Sequence, residues 1–222
     1  MNRAEIIRAF NESIYDTDRE RALRVIHDAV ADGVTPEEVV FEIVIPSIEQ
    51  ITECVGQGGE LNLAQHFMTA QIASEVAEEM LRKFKTPPEI VGRVVIGTAR
   101  GDLHTLGKRI VIGCLKAWMI DATDLGVNVP PERFVDEAVA RRAQVIGISA
   151  MMVHTARGED GCLKVRQILK ERRLEDRIKI IVGGAPYRFD RELWATVRAD
   201  AWAEDAVSAG KTILQLIRGA KS

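Results

Sequence analysis

Apolar residues recur on two periods along the 222-residue chain, and the change from one to the other falls near Lys85-Thr86-Pro87-Pro88-Glu89. Before the paired prolines, apolar positions return every three or four residues over 4–15, 18–32, 36–54 and 63–84, the spacing of helices that bury one face. Asp16-Thr17-Asp18 and Asp32-Gly33 separate these segments. Thr35-Pro36-Glu37-Glu38 has the pattern of a helix start, with Thr as N-cap, Pro at the first helical position and Glu at the third. Four antiparallel helices on short loops predict a small bundle over residues 1–86. After the prolines the pattern alternates. β-branched runs at 91–99, 145–148 and 178–182 are interleaved with helical stretches such as 108–119. That alternation predicts an α/β domain over 91–222 with a doubly wound parallel sheet. The prolines themselves read as a short, stiff linker.

Composition narrows the picture. The chain is 46% apolar and 28% charged, enough for real cores. Its net charge of -3 and the lack of a basic stripe give no support to nucleic-acid binding. With no N-terminal secretory signal and no long uncharged apolar run, a cytoplasmic protein without a membrane partner is expected. Cys54, Cys114 and Cys162 are too widely spaced for a metal knuckle and read as reduced, packed thiols. The mixed charges of 171–177 read as a solvated helix end.

Candidate chemistry concentrates in Gly101-Asp102-Leu103-His104-Thr105-Leu106-Gly107, between an apolar strand and an apolar helix. In an open α/β sheet, loops at the carboxyl ends of strands bind ligands. A histidine there can turn one ring nitrogen outward to a metal while a carboxylate holds the other, and Asp102 is close enough to His104 to do so. The two glycines permit tight bending or close approach. One histidine and one carboxylate cannot enclose a metal ion, so a prosthetic group would have to supply most of the coordination. Each residue also has a plainer reading. His104 could be solvated, Asp102 could cap the next helix, Ser149 could close a strand end, and Gly183-Gly184 could form an ordinary turn.

The segment resembles the Asp-x-His-x-x-Gly signature of cobalamin-binding domains of the methionine synthase and methylmutase type. Ser149-Ala150-Met151 is similar to the family's Ser-x-Leu motif, and Gly183-Gly184 to its Gly-Gly motif, each at a strand end and in the family's order. The resemblance covers about Val91 to the C-terminus and implies a flavodoxin-like (Rossmann-like) sheet. It also implies a corrinoid whose dimethylbenzimidazole base leaves cobalt while its nucleotide tail enters a slot in the sheet. On that basis His104 would be the lower cobalt ligand, with Asp102 behind it. Ser149 would bond the displaced base, and Gly183 and Gly184 would keep the slot open. Leu103, Thr105, Leu106, Gly107 and Met151 would complete the binding surface. Met151 replaces the usual leucine, a swap of similar volume. Thr105-Leu106 replaces a common Asp-Ile pair. Residues 199–206 are similar to a turn that closes over the tail, so Trp202 and Ala203 would flank it; Trp202 could equally pack at the sheet edge. Asp205 is a candidate cap for a last helix over 206–218.

A helical bundle ahead of such a domain resembles the corrinoid proteins of methanol, methylamine and aryl-ether demethylation, in which it covers the reactive upper face of the cofactor. Gln65-His66-Phe67-Met68 departs from the Leu-Pro-Glu stretch common there. His66 could be an upper ligand, as in B12-dependent light sensors, or an ordinary bundle histidine. His154 could line the corrinoid edge or face solvent. The resemblance implies a methyl carrier serving two methyltransferases, one on the donor and one on the acceptor side, and inactive alone. A cobalamin sensor or storage protein, with the bundle and His66 as cap, is the alternative, and a small mutase subunit ranks behind both. A homodimer stays open.

Overall fold

The computed structural model describes residues 2–48, 50, 63–86 and 89–220. They group into two compact units, one comprising Met1–Glu89 with Lys116–Met119, the other Ile90–Leu115 with Ile120–Ser222.

The first unit is helical throughout its described elements: α1 (Arg3–Tyr15), α2 (Arg19–Ala31), α3 (Pro36–Glu38), a π-helical stretch Val39–Val44, helical residues 45–48, and α4 (Leu63–Leu81). Local chemistry sets the starts. Asn2 and Glu5 form a capping box on α1, Asp18 accepts from the Arg21 N–H of α2 at 2.9 Å, and Thr35 and Glu38 form a second box on α3. Apolar stripes then bury Ile6, Phe10, Ile14, Ile26, Ile72, Val76 and Met80.

The plain α-helix expected over 36–54 is not what forms. Its middle widens into the π-helix, closed by the Ile45 N–H on the Val40 carbonyl. One cause is local and one tertiary. Pro46 has no N–H for the turn, and its ring crowds the carbonyl four residues back. The widened turn also buries Val39, Val40, Ile43 and Val44 together. Residues 51–54, including Cys54, lie outside the described residues.

In the second unit β1 (Gly92–Thr98), β2 (Ile120–Asp124), β3 (Val145–Ser149), β4 (Lys179–Gly183) and β5 (Ala201–Ala203) form a parallel sheet in the order β2-β1-β3-β4-β5. This is the flavodoxin-like order, with its switch point between β1 and β3. The helices are α5 (Leu106–Ala117), α6 (Pro131–Ala140), α7 (Val153–Arg157), α8 (Cys162–Glu171), α9 (Ala185–Phe189), α10 (Leu193–Thr196) and α11 (Ala206–Ala220). Alternate strand residues Val95, Ile146, Ile148, Ile180 and Val182 join Phe134 and Val135 of α6 and Val165 and Leu169 of α8 in one core cluster. The other face meets α11, whose Ile217 packs so closely on β1 that a Cβ at Gly92 would lie 2.6 Å away.

Asp205 caps α11 through the Ser208 N–H at 2.8 Å. Residues 201–203 form the edge strand rather than a turn. Three residues suffice because Ile181, Val182 and Gly183 supply the register. Cys114 and Cys162 are buried, and burial pushes both thiols up to about 12.

Candidate functional site

The loop 99–105 leaves β1 at the switch point and is tied down from several sides. The Ala99 N–H donates to the Ser149 carbonyl at 2.9 Å, joining it to the end of β3. The buried Thr98 hydroxyl donates to the His104 carbonyl at 2.8 Å. Asn128, from the loop before α6, accepts the Gly101 N–H on its side chain at 2.8 Å and donates its own N–H to the Asp102 carbonyl at 3.0 Å.

Within this frame the Asp102 side chain is fully buried and each of its oxygens is committed. Oδ1 accepts the His104 N–H at 3.0 Å and the His104 ring Nδ1–H at 2.7 Å. Oδ2 accepts the N–H groups of Met151 at 2.6 Å and Met152 at 3.3 Å. The Thr155 hydroxyl, 3.1 Å from Oδ2 and 2.8 Å from the Met152 carbonyl, shares its proton between the two. Burial pushes the Asp102 carboxyl upward, but the bonds from His104, Met151 and Thr155 outweigh it and hold the group down at about 2. A carboxylate ionised at any ordinary pH dictates the histidine tautomer. The proton sits on Nδ1, leaving the lone pair on Nε2. The His104 side chain is 57% exposed, and Nε2 makes no hydrogen bond among the described residues. Asp102 therefore forms a turn with its own loop rather than capping α5.

The two loops that meet at Asp102 also carry exposed apolar side chains: Leu103, Leu106, Met151, Met152 and Val153. Their loops are brought together by the Asp102 carboxylate. Thr105 is exposed at the start of α5 and its carbonyl accepts the Arg109 N–H.

Beneath the loop, a cavity of about 160 Å³ opens between the sheet and helices α5 and α11. Register explains it. The last aligned row of the sheet is Thr98, Ser149, Gly183, Ala203, all small. Two rows before it, on the same face of the sheet, Gly147 stands between Ile96 and Ile181. Gly107, Ser149, Gly183, Gly184 and Ala203 all line the cavity, as does Gly147. The two adjacent glycines have different reasons. A Cβ on Gly183 would meet only the Ala203 carbonyl, at 3.5 Å, so that position keeps space open. Gly184 has φ +117°, and a Cβ there would lie 2.0 Å from the Ala150 carbonyl. It is glycine because two backbones touch.

Trp202 does not line the cavity; it pairs with Val182 in β5 and packs half-buried on the core cluster. His154 is exposed on α7. His66 lies in α4, but its side chain is outside the described residues. Thr98, Asn128, Gly147, Thr155 and Lys108 also build the site, although no motif in the sequence marks them. Gly147 carried a usable signal, a glycine inside a β-branched strand. Lys108, buried in the cavity wall and ion-paired with Asp124, was hidden in an ordinary amphipathic pattern.

Among the described residues, no group of three or more His, Cys, Asp or Glu converges to hold a metal ion. The fold and the site thus define a cofactor-binding α/β domain: one outward imidazole backed by a carboxylate, above a slot in the sheet. A family model described as the B12 binding domain matches residues 92–210. The trimethylamine corrinoid protein of Methanosarcina barkeri is 34% identical over 222 residues, spanning 97% of this chain and 99% of its own. The chain belongs to this family of B12-binding corrinoid proteins, and its cofactor is a cobalamin-type corrinoid.

Two solved structures share the fold. A cobalamin-binding protein from Desulfitobacterium hafniense DCB-2 superposes with a TM-score of 0.75 at 21% identity, over 95% of this chain and 98% of the other. A chain of the methanol:cobalamin methyltransferase complex from Methanosarcina barkeri does so with 0.74 at 21% identity, over 97% and 80%. Among the described residues no helix is long and apolar enough to cross a membrane.

Proposed function

We propose that this chain is the methyl-carrying corrinoid protein of a methyltransferase system, with His104 as the lower cobalt ligand and the nucleotide tail in the slot below it. The single observation that carries the ligand assignment is the Asp102–His104 pair. A 2.7 Å bond to an ionised carboxylate fixes the ring, on an exposed side chain whose Nε2 makes no hydrogen bond among the described residues. The residues fit the group in two further respects. The small row Ser149, Gly183, Ala203 spares the space a tail requires, and Leu103, Leu106 and Met151 offer apolar contact around the imidazole.

Bound here, the corrinoid would supply a cobalt centre able to accept a methyl group from a donor held by one methyltransferase and to yield it to an acceptor held by another. The protein's own groups do the rest. His104 ligates, Asp102 orients and holds the ring proton at Nδ1, and Thr155 with the Met151 and Met152 N–H groups keeps Asp102 in place. The full-length similarity to a trimethylamine corrinoid protein supports a methylamine-class donor delivered by a partner methyltransferase. In this reading residues 1–86 are the helical cap bundle and residues 91–222 the cobalamin-binding domain. Cytoplasmic location and the absence of a nucleic-acid or membrane partner belong to the same proposal.

The test is electron paramagnetic resonance of the Co(II) form. Wild type should show coupling to a histidine nitrogen, and His104→Ala should lose that coupling and bind corrinoid at least about tenfold more weakly. Unchanged coupling in the variant would remove His104 as ligand. Failure of the wild type to bind corrinoid would remove the carrier reading itself.

A further inference from the structure

We infer that the edge of the sheet opposite His104 is a docking surface for a protein partner rich in Asp and Glu, held by Arg142, Arg173, Arg177 and Arg198. This uses no part of the cobalt site and goes beyond the carrier reading to a further partner.

These arginines are scattered in sequence and gathered by topology. His104 follows the carboxyl end of β1, whereas they precede β3, β4 and β5, which are adjacent parallel strands. They therefore lie at the other end of the sheet. Arg142, Arg177 and Arg198 come two residues before Gln144, Lys179 and Asp200 respectively. The Lys179 N–H donates to the Gln144 carbonyl at 2.9 Å, and the Asp200 N–H to the Ile180 carbonyl at 2.8 Å. Strands bonded in this way run about 5 Å apart, so three long side chains start from one short row. Arg173 lies just past the end of α8, in the turn that leads into β4.

All four are exposed, and none has an ion pair or a side-chain hydrogen bond among the described residues. Helix dipoles do not account for them. Arg141 and Arg172 already occupy the C-caps of α6 and α8, ion-paired with Glu137 at 2.9 Å and Asp136 at 2.6 Å. Arg142, Arg173 and Arg198 each lie one residue beyond a C-cap, with φ of +55°, +55° and +58°. Glycine or asparagine fits such left-handed backbone with less strain. Glu175 and Asp176, in the turn before β4, offset part of the charge, and the edge stays net positive on a chain of net charge -3.

The chemistry selects an acidic protein. A guanidinium fork pairs with a carboxylate through two parallel bonds, and arginine rather than lysine is the cation enriched in protein interfaces. Nucleic acid asks for more, since a tight complex neutralises about six to ten phosphates. A partner seated on this edge leaves the His104 loop open.

The experiment titrates the full chain, with cobalamin bound, into fluorescently labelled poly-L-glutamate at low and at high salt, read by anisotropy. Wild type should bind at low salt and release at high salt. Arg142→Asn, Arg173→Asn and Arg198→Asn together should weaken binding at least about tenfold, while Tm and the corrinoid spectrum hold. The same loss of charge in the helical unit, Arg8→Gln with Arg24→Gln and Arg82→Gln, should leave binding as in wild type. Equal losses in the two triple variants would overturn the surface, because net charge alone would then explain the binding. So would failure of the wild type to bind poly-L-glutamate, or tighter binding of an oligothymidine through the same arginines. The carrier reading is untouched by these outcomes and fails separately, if cobalamin does not bind.

Discussion

At the scale of single residues, the oxygens of Asp102 decide the site. Five groups converge on them as donors, so an amide cannot substitute for the carboxylate: its NH₂ would point at other N–H groups. Asp102→Asn should destabilise the α/β domain by about 2–4 kcal/mol, measured as the shift in urea midpoint at constant slope. The same bonds predict a pH dependence. Asp102 titrates at about 2 in the fold, against an ordinary value of 3.8. Because the folded value is the lower one, the unfolded chain takes up the proton first. The contribution, about 2 kcal/mol, is complete above pH 4 and declines as pH falls toward 2. Urea unfolding at pH 6 and at pH 3 should therefore show the wild type losing its advantage over Asp102→Asn in acid. An advantage that stays constant would mean that the carboxylate is not the source.

At the scale of elements, the β3–β4 ends separate a folding requirement from a binding requirement in neighbouring glycines. Gly184→Ala forces a Cβ to 2.0 Å from the Ala150 carbonyl at φ +117°, and should cost about 3 kcal/mol or more, read as a fall in Tm. Gly183→Ala meets nothing closer than 3.5 Å, so Tm should hold while corrinoid affinity drops, because the methyl enters the slot. If both variants lost only stability, the slot assignment would fail. The two residues are indistinguishable as a Gly-Gly pair in sequence. What separates them is the chain crossing at Ala150, a contact between residues far apart along the chain.

At the scale of the whole molecule, every residue assigned to the lower site lies in the second unit, which has its own sheet, core and covering helices. A chain starting at residue 90 should therefore bind corrinoid with the same histidine coupling as the full chain, checked by the spectra described above. An unfolded segment would show that the α/β half depends on the helical half.

Much of this was written in local patterns. Helical and alternating periods separated the two halves. The cap at Thr35-Pro36-Glu37-Glu38 and the strand-end placement of His104, Ser149 and Gly183 could be read directly, because each depends on residues within a turn or two of itself. The π-helix at Val39–Val44 could not, since tertiary burial of four aliphatic residues competes there with ordinary helical spacing. Nor could the slot. It exists because Ser149, Gly183 and Ala203 fall in one row and Gly147 two rows behind on the same face, and strand register follows from which faces the crossovers bury. The sequence alone therefore determined the class of fold and the histidine with its carboxylate. The enclosure of Asp102 by Met151, Met152 and Thr155, and the cavity beneath it, were decided only by tertiary structure, because both depend on contacts between separate strand ends.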